Sequence, residues 1–350
     1  MSQNRSGRGL VMPKKVLYEA LHLLKENIQV SQTCEASKYV IFHDGRVCAM
    51  DDTIFISIPI YADLSGFAVD MQLIYDFIRR IPDKEFLIGL CEGNLKIKGK
   101  NTVASFATRD DVLYDDSLIN LDTSKFTKLP EAFGEALSFT GFATDQQDYS
   151  YSSCVIHEGY MYALSSYRCA RYYMGDEAVE LFPGMTFVTP ACTTFVNKMR
   201  PTRYLLENGM LHLYDKDMRI YSARTRTDNN FPLEMVAELL QPSDAPTFKF
   251  PSNLAEVLER CNPFSGTDRE VKKVYIKIAD GTLNVQAMRE DGSRCKEQLL
   301  GVITPEPISF VLNIDLLTDM LRFCENYQVT SDRIIGTAGG YVCTSPLSVD

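Results

Sequence analysis

The chain has 350 residues, 45% of them hydrophobic and 23% charged, a globular balance rather than that of a disordered segment. Its formal net charge of −10 excludes a simple polycationic nucleic-acid binder, although a positive charge confined to one face stays compatible with that sum. No apolar run reaches the ~18 residues of a membrane helix, and the opening MSQNRSGRGL lacks the apolar stretch of a secretory signal. The ten cysteines form no CxxC pair and sit mostly in apolar strings, such as RVCAM around Cys48, so buried reduced thiols and a cytoplasmic location are expected.

Along the chain, three anchors recur three times at intervals of roughly 120 residues, the signature of a repeated unit. Pro13, Pro130 and Pro251 each open an apolar-periodic helix. Asp44-Gly45, Glu158-Gly159 and Asp280-Gly281 each mark a hairpin turn. Phe67, Phe187 and Phe310 each start a second helical pattern. In the first unit, Leu17, Ala20, Leu21 and Leu24 share one face of a helix. Alternating strands follow in KYVIFHDGRVCAM and TIFISIPIY, then a helix over 69–80 that ends before Pro82, then strands in FLIGL, NLKIKG and VASFATR. The second unit repeats this order and adds a hairpin at Asn208-Gly209. The third gives FKFPSNLAEVLERCNPF, VYIKIADGTLNVQAM, ISFVLNIDLLTDML and RIIGTAGGYVCTSP. Polar and proline-rich linkers fall near residues 115–123 and 241–246. The expected architecture is α+β, in three domains at 1–122, 123–244 and 245–350, each with two helices backed by antiparallel sheets.

No phosphate-binding G-x-x-x-x-G-K-[ST] loop and no HExxH or Cys-His cluster is present, so neither nucleotide hydrolysis, a metal nor another cofactor is expected. Asp51-Asp52 reads as a turn between strands rather than a metal-binding carboxylate pair. His22, His43, His157 and His212 are scattered and read as surface residues of strands or helices.

The order of elements, and above all the string ARTRTDNNFPLEMVAELL with its Phe231-Pro232 pair, resembles the bacterial sliding clamp, the beta subunit of DNA polymerase III. The third unit, through NPFSGTDREVKKVYIKIADGTLNVQAMREDG, resembles it nearly as well; the first is more divergent, as in a distant lineage or a virus-encoded member. The resemblance implies a ring of two chains joined head-to-tail, with helices lining the hole and sheets forming the outer wall. It implies a non-enzymatic processivity factor that encircles duplex DNA and tethers replication proteins. A clamp-fold scaffold that no longer loads on DNA is the alternative.

Sliding requires a weak positive lining and no base readout. Candidates are Lys14, Lys15 and Lys25, Arg79 and Arg80, and Lys198, Arg200 and Arg203, with Arg260 and Arg322 in the third unit. Cations near helix C-termini also serve the helix dipole wherever they occur. The resemblance places Gln146, Tyr149 and Tyr151 in a loop beside the channel, where an aromatic can stack on a single-stranded end. It also implies an apolar pocket for short linear peptides of the polymerase and clamp loader. Its walls map to Ser152, Leu164, Ser166, Tyr167, Arg168, Cys169, Pro232, Ala237, Val342 and Thr344. Several are smaller or more polar than the family's usual leucine and methionine.

Overall fold

A computed structural model describes residues 9–112, 118, 121–145, 147–226, 230–266, 272–302 and 307–347. The first third forms β1 (Leu10–Pro13), α1 (Lys14–Asn27), β2 (Tyr39–His43), β3 (Arg46–Met50), β4 (Ile54–Pro59), β5 (Phe67–Asp70), α2 (Met71–Arg80), β6 (Glu85–Cys91), β7 (Asn94–Lys98) and β8 (Val103–Ala107). The second forms β9 (Thr127–Lys128), α3 (Phe133–Thr140), β10 (Cys154–His157), β11 (Tyr160–Leu164), β12 (Cys169–Tyr173), α4 (Glu177–Leu181), β13 (Thr186–Val188), α5 (Thr193–Met199), β14 (Arg203–Glu207), β15 (Met210–Tyr214), β16 (Ile220–Arg224) and α6 (Leu233–Leu239). The third forms β17 (Phe248–Lys249), α7 (Leu254–Cys261), β18 (Lys273–Ala279), β19 (Thr282–Met288), β20 (Arg294–Leu300), β21 (Ile308–Asn313), α8 (Ile314–Leu321), β22 (Asn326–Val329), β23 (Arg333–Ala338) and β24 (Tyr341–Pro346).

The recurring turns have a common cause. Both residues of Asp44-Gly45, Glu158-Gly159, Asn208-Gly209 and Asp280-Gly281 take positive φ, between 45° and 78°. That is the two-residue hairpin whose twist matches its strands, and glycine supplies one left-handed position without strain. The prolines stand one to three residues ahead of their helices rather than within them. Pro13 is the extended residue before α1, while the carbonyls of Pro130 and Pro251 accept from Phe133 and Leu254 at the starts of α3 and α7. The phenylalanines differ from expectation: Phe67, Phe187 and Phe310 lie in β5, β13 and β21, the strands that lead into the second helices. Each is buried against the sheet, and strand pairing decides their state. The second helix of the first third begins at Met71, where the Asp70 carboxylate accepts from the Leu73 amide at 2.7 Å.

Four sheets follow one plan. Two hold eight strands, in the orders β5-β2-β3-β4-β16-β15-β14-β9 and β13-β10-β11-β12-β24-β23-β22-β17. Two hold four, β1-β6-β7-β8 and β20-β19-β18-β21. Each eight-stranded sheet joins the first half of one repeat to the second half of the next, through β4–β16 and β12–β24. The four-stranded sheets are the halves left over at the two ends of the series. Accordingly the chain divides into two compact units, Met1–Leu129 with Ala191–Thr227, and Pro130–Pro190 with Asp228–Asp350. Each unit holds one eight-stranded and one four-stranded sheet and its own apolar core. In the first, α1 buries Leu17, Leu21 and Leu24 completely; in the second, Phe133 and Phe139 of α3 are completely buried.

Candidate nucleic-acid interface and partner pocket

The basic residues of the helices divide by what holds them. Lys14 is committed to structure: its Nζ donates to the carbonyls of Arg79 and Ile81, capping the C-terminal end of α2. Lys25 lies 4.5 Å from the centre of the Tyr75 ring, and Arg79 pairs with Asp76 at 3.6 Å. Lys15 faces Glu19 at 3.8 Å with both side chains well exposed, a contact worth little. Lys198 of α5 reaches Glu26 of α1 at 2.5 Å, and this bond holds the Glu26 carboxyl below its usual range. Arg80, Arg200 and Arg203 are exposed and carry no ion pair among the described residues. Arg200 has left-handed backbone at the end of α5, which turns the chain out of the helix. Arg260 is held by Glu297 at 3.0 Å and Arg322 by Asp319 at 3.1 Å.

In the loop expected beside the channel, Gln146 and the side chain of Tyr149 lie outside the described residues. Tyr151 is half-buried and packs on the apolar cluster of Val155, Leu164, Phe187 and Phe231.

The pocket expectation gathers around the β11–β12 turn. Leu164, Ser166, Tyr167, Arg168, Cys169 and Thr344 line one cavity of about 160 Å³. Ser165, Leu239, Asp332, Arg333 and Pro346 complete its wall. The register explains the grouping: Leu164 pairs with Cys169, Cys169 with Thr344, and Arg333 with Pro346 across neighbouring strands. Ser152, Pro232, Ala237 and Val342 are absent from that lining. Val342 instead packs on the apolar cluster beneath it, and Pro232 stands at the start of α6. Of the missed wall residues, Ser165 lies in the same turn, Leu239 ends α6, and Asp332, Arg333 and Pro346 arrive with β23 and β24, where the only local signals were the Ser331-Asp332 turn and Pro346.

Arg168 serves the scaffold. It pairs with Asp319 of α8 at 2.9 Å, both side chains being under 15% exposed, and also donates to the Phe142 carbonyl. Burial pushes the Cys169 thiol up to about 12, so it stays a neutral apolar wall. Arg333 pairs with Asp332 at 3.5 Å, while its Nε is buried with no hydrogen-bond partner among the described residues. A pocket with an apolar floor of Leu164, Leu239 and Cys169 suits an apolar side chain. His212 corrects the surface expectation: it is 2% exposed in β15, an interior strand of the eight-stranded sheet, and bonds its ladder partner Ser222 at 2.7 Å. Asp51 is a turn residue that accepts from the Thr53 and Ile54 amides at 2.9 and 3.0 Å.

No protein-family model matches the chain, and no curated protein matches it in sequence. Solved structures match it along its whole length. A sliding clamp (DNA polymerase III subunit beta) from Pseudomonas aeruginosa bound to griselimycin is 12% identical, with 98% of this chain and 100% of that one covered at a TM-score of 0.81. Its counterpart from Bartonella birtlesii is 13% identical, covering 97% and 99% at 0.81. A DNA polymerase III beta subunit described as putative, from Eubacterium rectale, is 14% identical, covering 98% and 100% at 0.78. The fold of this chain is therefore the sliding-clamp fold in a strongly diverged sequence.

Proposed function

From that shared fold, we propose that the chain is a DNA polymerase processivity factor. Two copies would close head-to-tail into a ring around duplex DNA, in the cytoplasm, with no catalytic role of their own. Three clamp domains, at 1–122, 123–244 and 245–350, would make up each copy. The observation that carries the reading is the pair of unfinished sheets. Within the chain, β16 pairs with β4 and β24 with β12. By strand order, β8 is the counterpart of β16 and β24, and β20 is the counterpart of β4 and β12. Both lie at sheet edges, with backbone groups open to another strand. Pairing β20 of one copy with β8 of the next would complete the series twice in a closed dimer.

DNA would be held without sequence readout by phosphate contacts of Lys15, Lys25, Arg79, Arg80, Lys198, Arg200 and Arg203, with Lys14 holding α2 in place. The loop carrying Gln146, Tyr149 and Tyr151 would meet the template. Polymerase and clamp loader would dock short linear peptides in the pocket of Leu164, Cys169, Arg333 and Thr344. The small volume and the commitment of Arg168 to Asp319 favour a second reading, a clamp-fold scaffold whose partners differ from those of the replication machinery.

Sedimentation together with retention on nicked circular DNA, in the presence of the cognate loader, tests the reading. The expected result is a dimer retained on circles and lost when they are cut. Strand N–H groups alternate in direction, so one of Ala104→Pro and Ser105→Pro removes an outward donor of β8 and yields a folded monomer. A wild-type chain that stays monomeric at high concentration and never remains on circles would overturn the reading.

A further inference from the structure

A second cavity, of about 340 Å³, lies in the first unit where β4 meets β16. Its position repeats that of the peptide pocket residue by residue. Met50 pairs with Phe55 as Leu164 pairs with Cys169. Phe55 pairs with Ser222 as Cys169 pairs with Thr344. Met210 pairs with Arg224 as Arg333 pairs with Pro346. Five of its lining residues are Met50, Ile54, Phe55, Met210 and Arg224, and the register counterparts of all five (Leu164, Arg168, Cys169, Arg333 and Pro346) line the other pocket; Asp51, Thr53, Asn208, His212 and Thr225 make the polar part of the wall. Leucines from outside the sheets line both, Leu118 and Leu121 here and Leu239 of α6 there. Such correspondence arises from the shared sheet plan and not from sequence, since no lining residue is the same at its counterpart.

The charge differs where the geometry agrees. At the second seam, Arg168 and Arg333 are engaged by Asp319 and Asp332. At the first, Arg224 is exposed on the cavity wall and makes no ion pair among the described residues. The neighbouring acids are already satisfied: Asp51 accepts the Gln29, Thr53 and Ile54 amides, and Asp52 accepts the Thr33 hydroxyl at 2.7 Å and that of Ser31. Asp52 feels the charge of Arg224 without touching it.

We propose that this cavity is a second peptide-docking site, taking an extended segment of a partner protein. An apolar side chain would enter among Met50, Phe55, Leu121 and Met210, and a carboxylate next to it would meet Arg224. The proposal rests on the peptide-docking reading of the other pocket, but not on ring closure or DNA retention.

Methionine-methyl NMR separates the two sites, because Met50 and Met210 line this cavity and the other lining contains no methionine. Met50→Leu and Met210→Leu assign the two signals. The probes are acetyl-Ala-Leu-Phe-Asp with a free C-terminus and its uncharged analogue acetyl-Ala-Leu-Phe-Asn-amide. The acidic peptide is expected to shift both methyls saturably, and Arg224→Gln to weaken that binding roughly fivefold, as an exposed ion pair warrants. The uncharged analogue should bind the wild type with the same loss. Shifts confined to leucine methyls of the other pocket would overturn the proposal while leaving that pocket's reading intact. Methyl shifts produced by raising protein concentration alone would overturn it too, in favour of a contact between copies. Saturable, Arg224-dependent shifts in a chain that never remains on circular DNA would sustain it while the ring reading failed.

Discussion

The seams β4–β16 and β12–β24 share one register and solve it with different chemistry. At the first, Arg46 crosses the junction with no ion pair among the described residues, its Nε 2.6 Å from the Ser57 hydroxyl and its guanidinium 2.7 Å from the Met218 carbonyl. Burial lowers its pKa. His212 and Ser222 pair beside it, at positions that Ile335 and Thr344 fill in the second seam. The second seam concentrates its charge in Arg168–Asp319, which ties the β11–β12 turn to α8. The first therefore commits Arg46 to closing the sheet, and its cavity wall mixes apolar side chains with Asp51, His212 and Arg224, the last without an ion pair among the described residues. The second spends an arginine of the wall itself, and its cavity is smaller.

Substitutions at register-equivalent positions would break or sharpen this contrast. The largest difference is expected between Phe55→Ala and Cys169→Ala. Phe55 is 1% exposed, and its loss should cost about 4 kcal/mol in urea unfolding of the first unit, against roughly 1 kcal/mol for the smaller thiol. Equal costs would show that the seams are packed alike. Next, Arg168→Met leaves the largely buried Asp319 only the exposed Arg322 as partner and should destabilise by about 2 kcal/mol, while Arg168→Met with Asp319→Leu should recover most of it. If the double variant is no better than the single, the pair matters through packing and not charge.

His212 predicts a pH signature confined to the first seam. Burial lowers its folded pKa below the ordinary value of about 6.5, so the unfolded chain takes up the proton first. Stability from keeping it neutral is complete above about 6.5 and is lost as pH falls towards the folded pKa. Thermal melts between about pH 7.5 and 5 should flatten in His212→Gln, and an unchanged slope would assign the effect elsewhere. The smallest effect belongs to Lys198→Ala. Its pair with Glu26 is partly exposed, so about 0.5 kcal/mol or less is expected, fading with salt.

Local chemistry was legible in the sequence, and long-range pairing was not. Asp44-Gly45, Glu158-Gly159, Asn208-Gly209 and Asp280-Gly281 each announce their own turn, because two positive φ angles in succession demand such residues. The apolar stripe Leu17, Ala20, Leu21, Leu24 announces the buried face of α1. Nothing in TIFISIPIY states that it will lie beside IYSAR of the next repeat, since ladder hydrogen bonds are made by backbone common to all residues. That pairing sets the first cavity. Leu164, Ser166, Tyr167, Arg168 and Cys169 were legible as one group because they are contiguous, whereas Asp332, Arg333 and Pro346 enter the same cavity from a distant hairpin. Arg168 entered the pocket reading through the resemblance, and its ion pair was not legible because Asp319 is remote in sequence.

The unfinished edges β8 and β20 carry a thermodynamic consequence. The seams β4–β16 and β12–β24 join strands of a single chain, so each is held at the fixed local concentration that a covalent tether imposes, whatever the dilution. A seam between copies has no tether, and its occupancy depends on how much protein is present. In the proposed assembly two kinds of chemically similar junction would thus obey different laws: dilution leaves the internal pair untouched and parts the chains only at β8 and β20. The fold thereby fixes in advance where such an assembly opens, without any seam having to be intrinsically weaker than another.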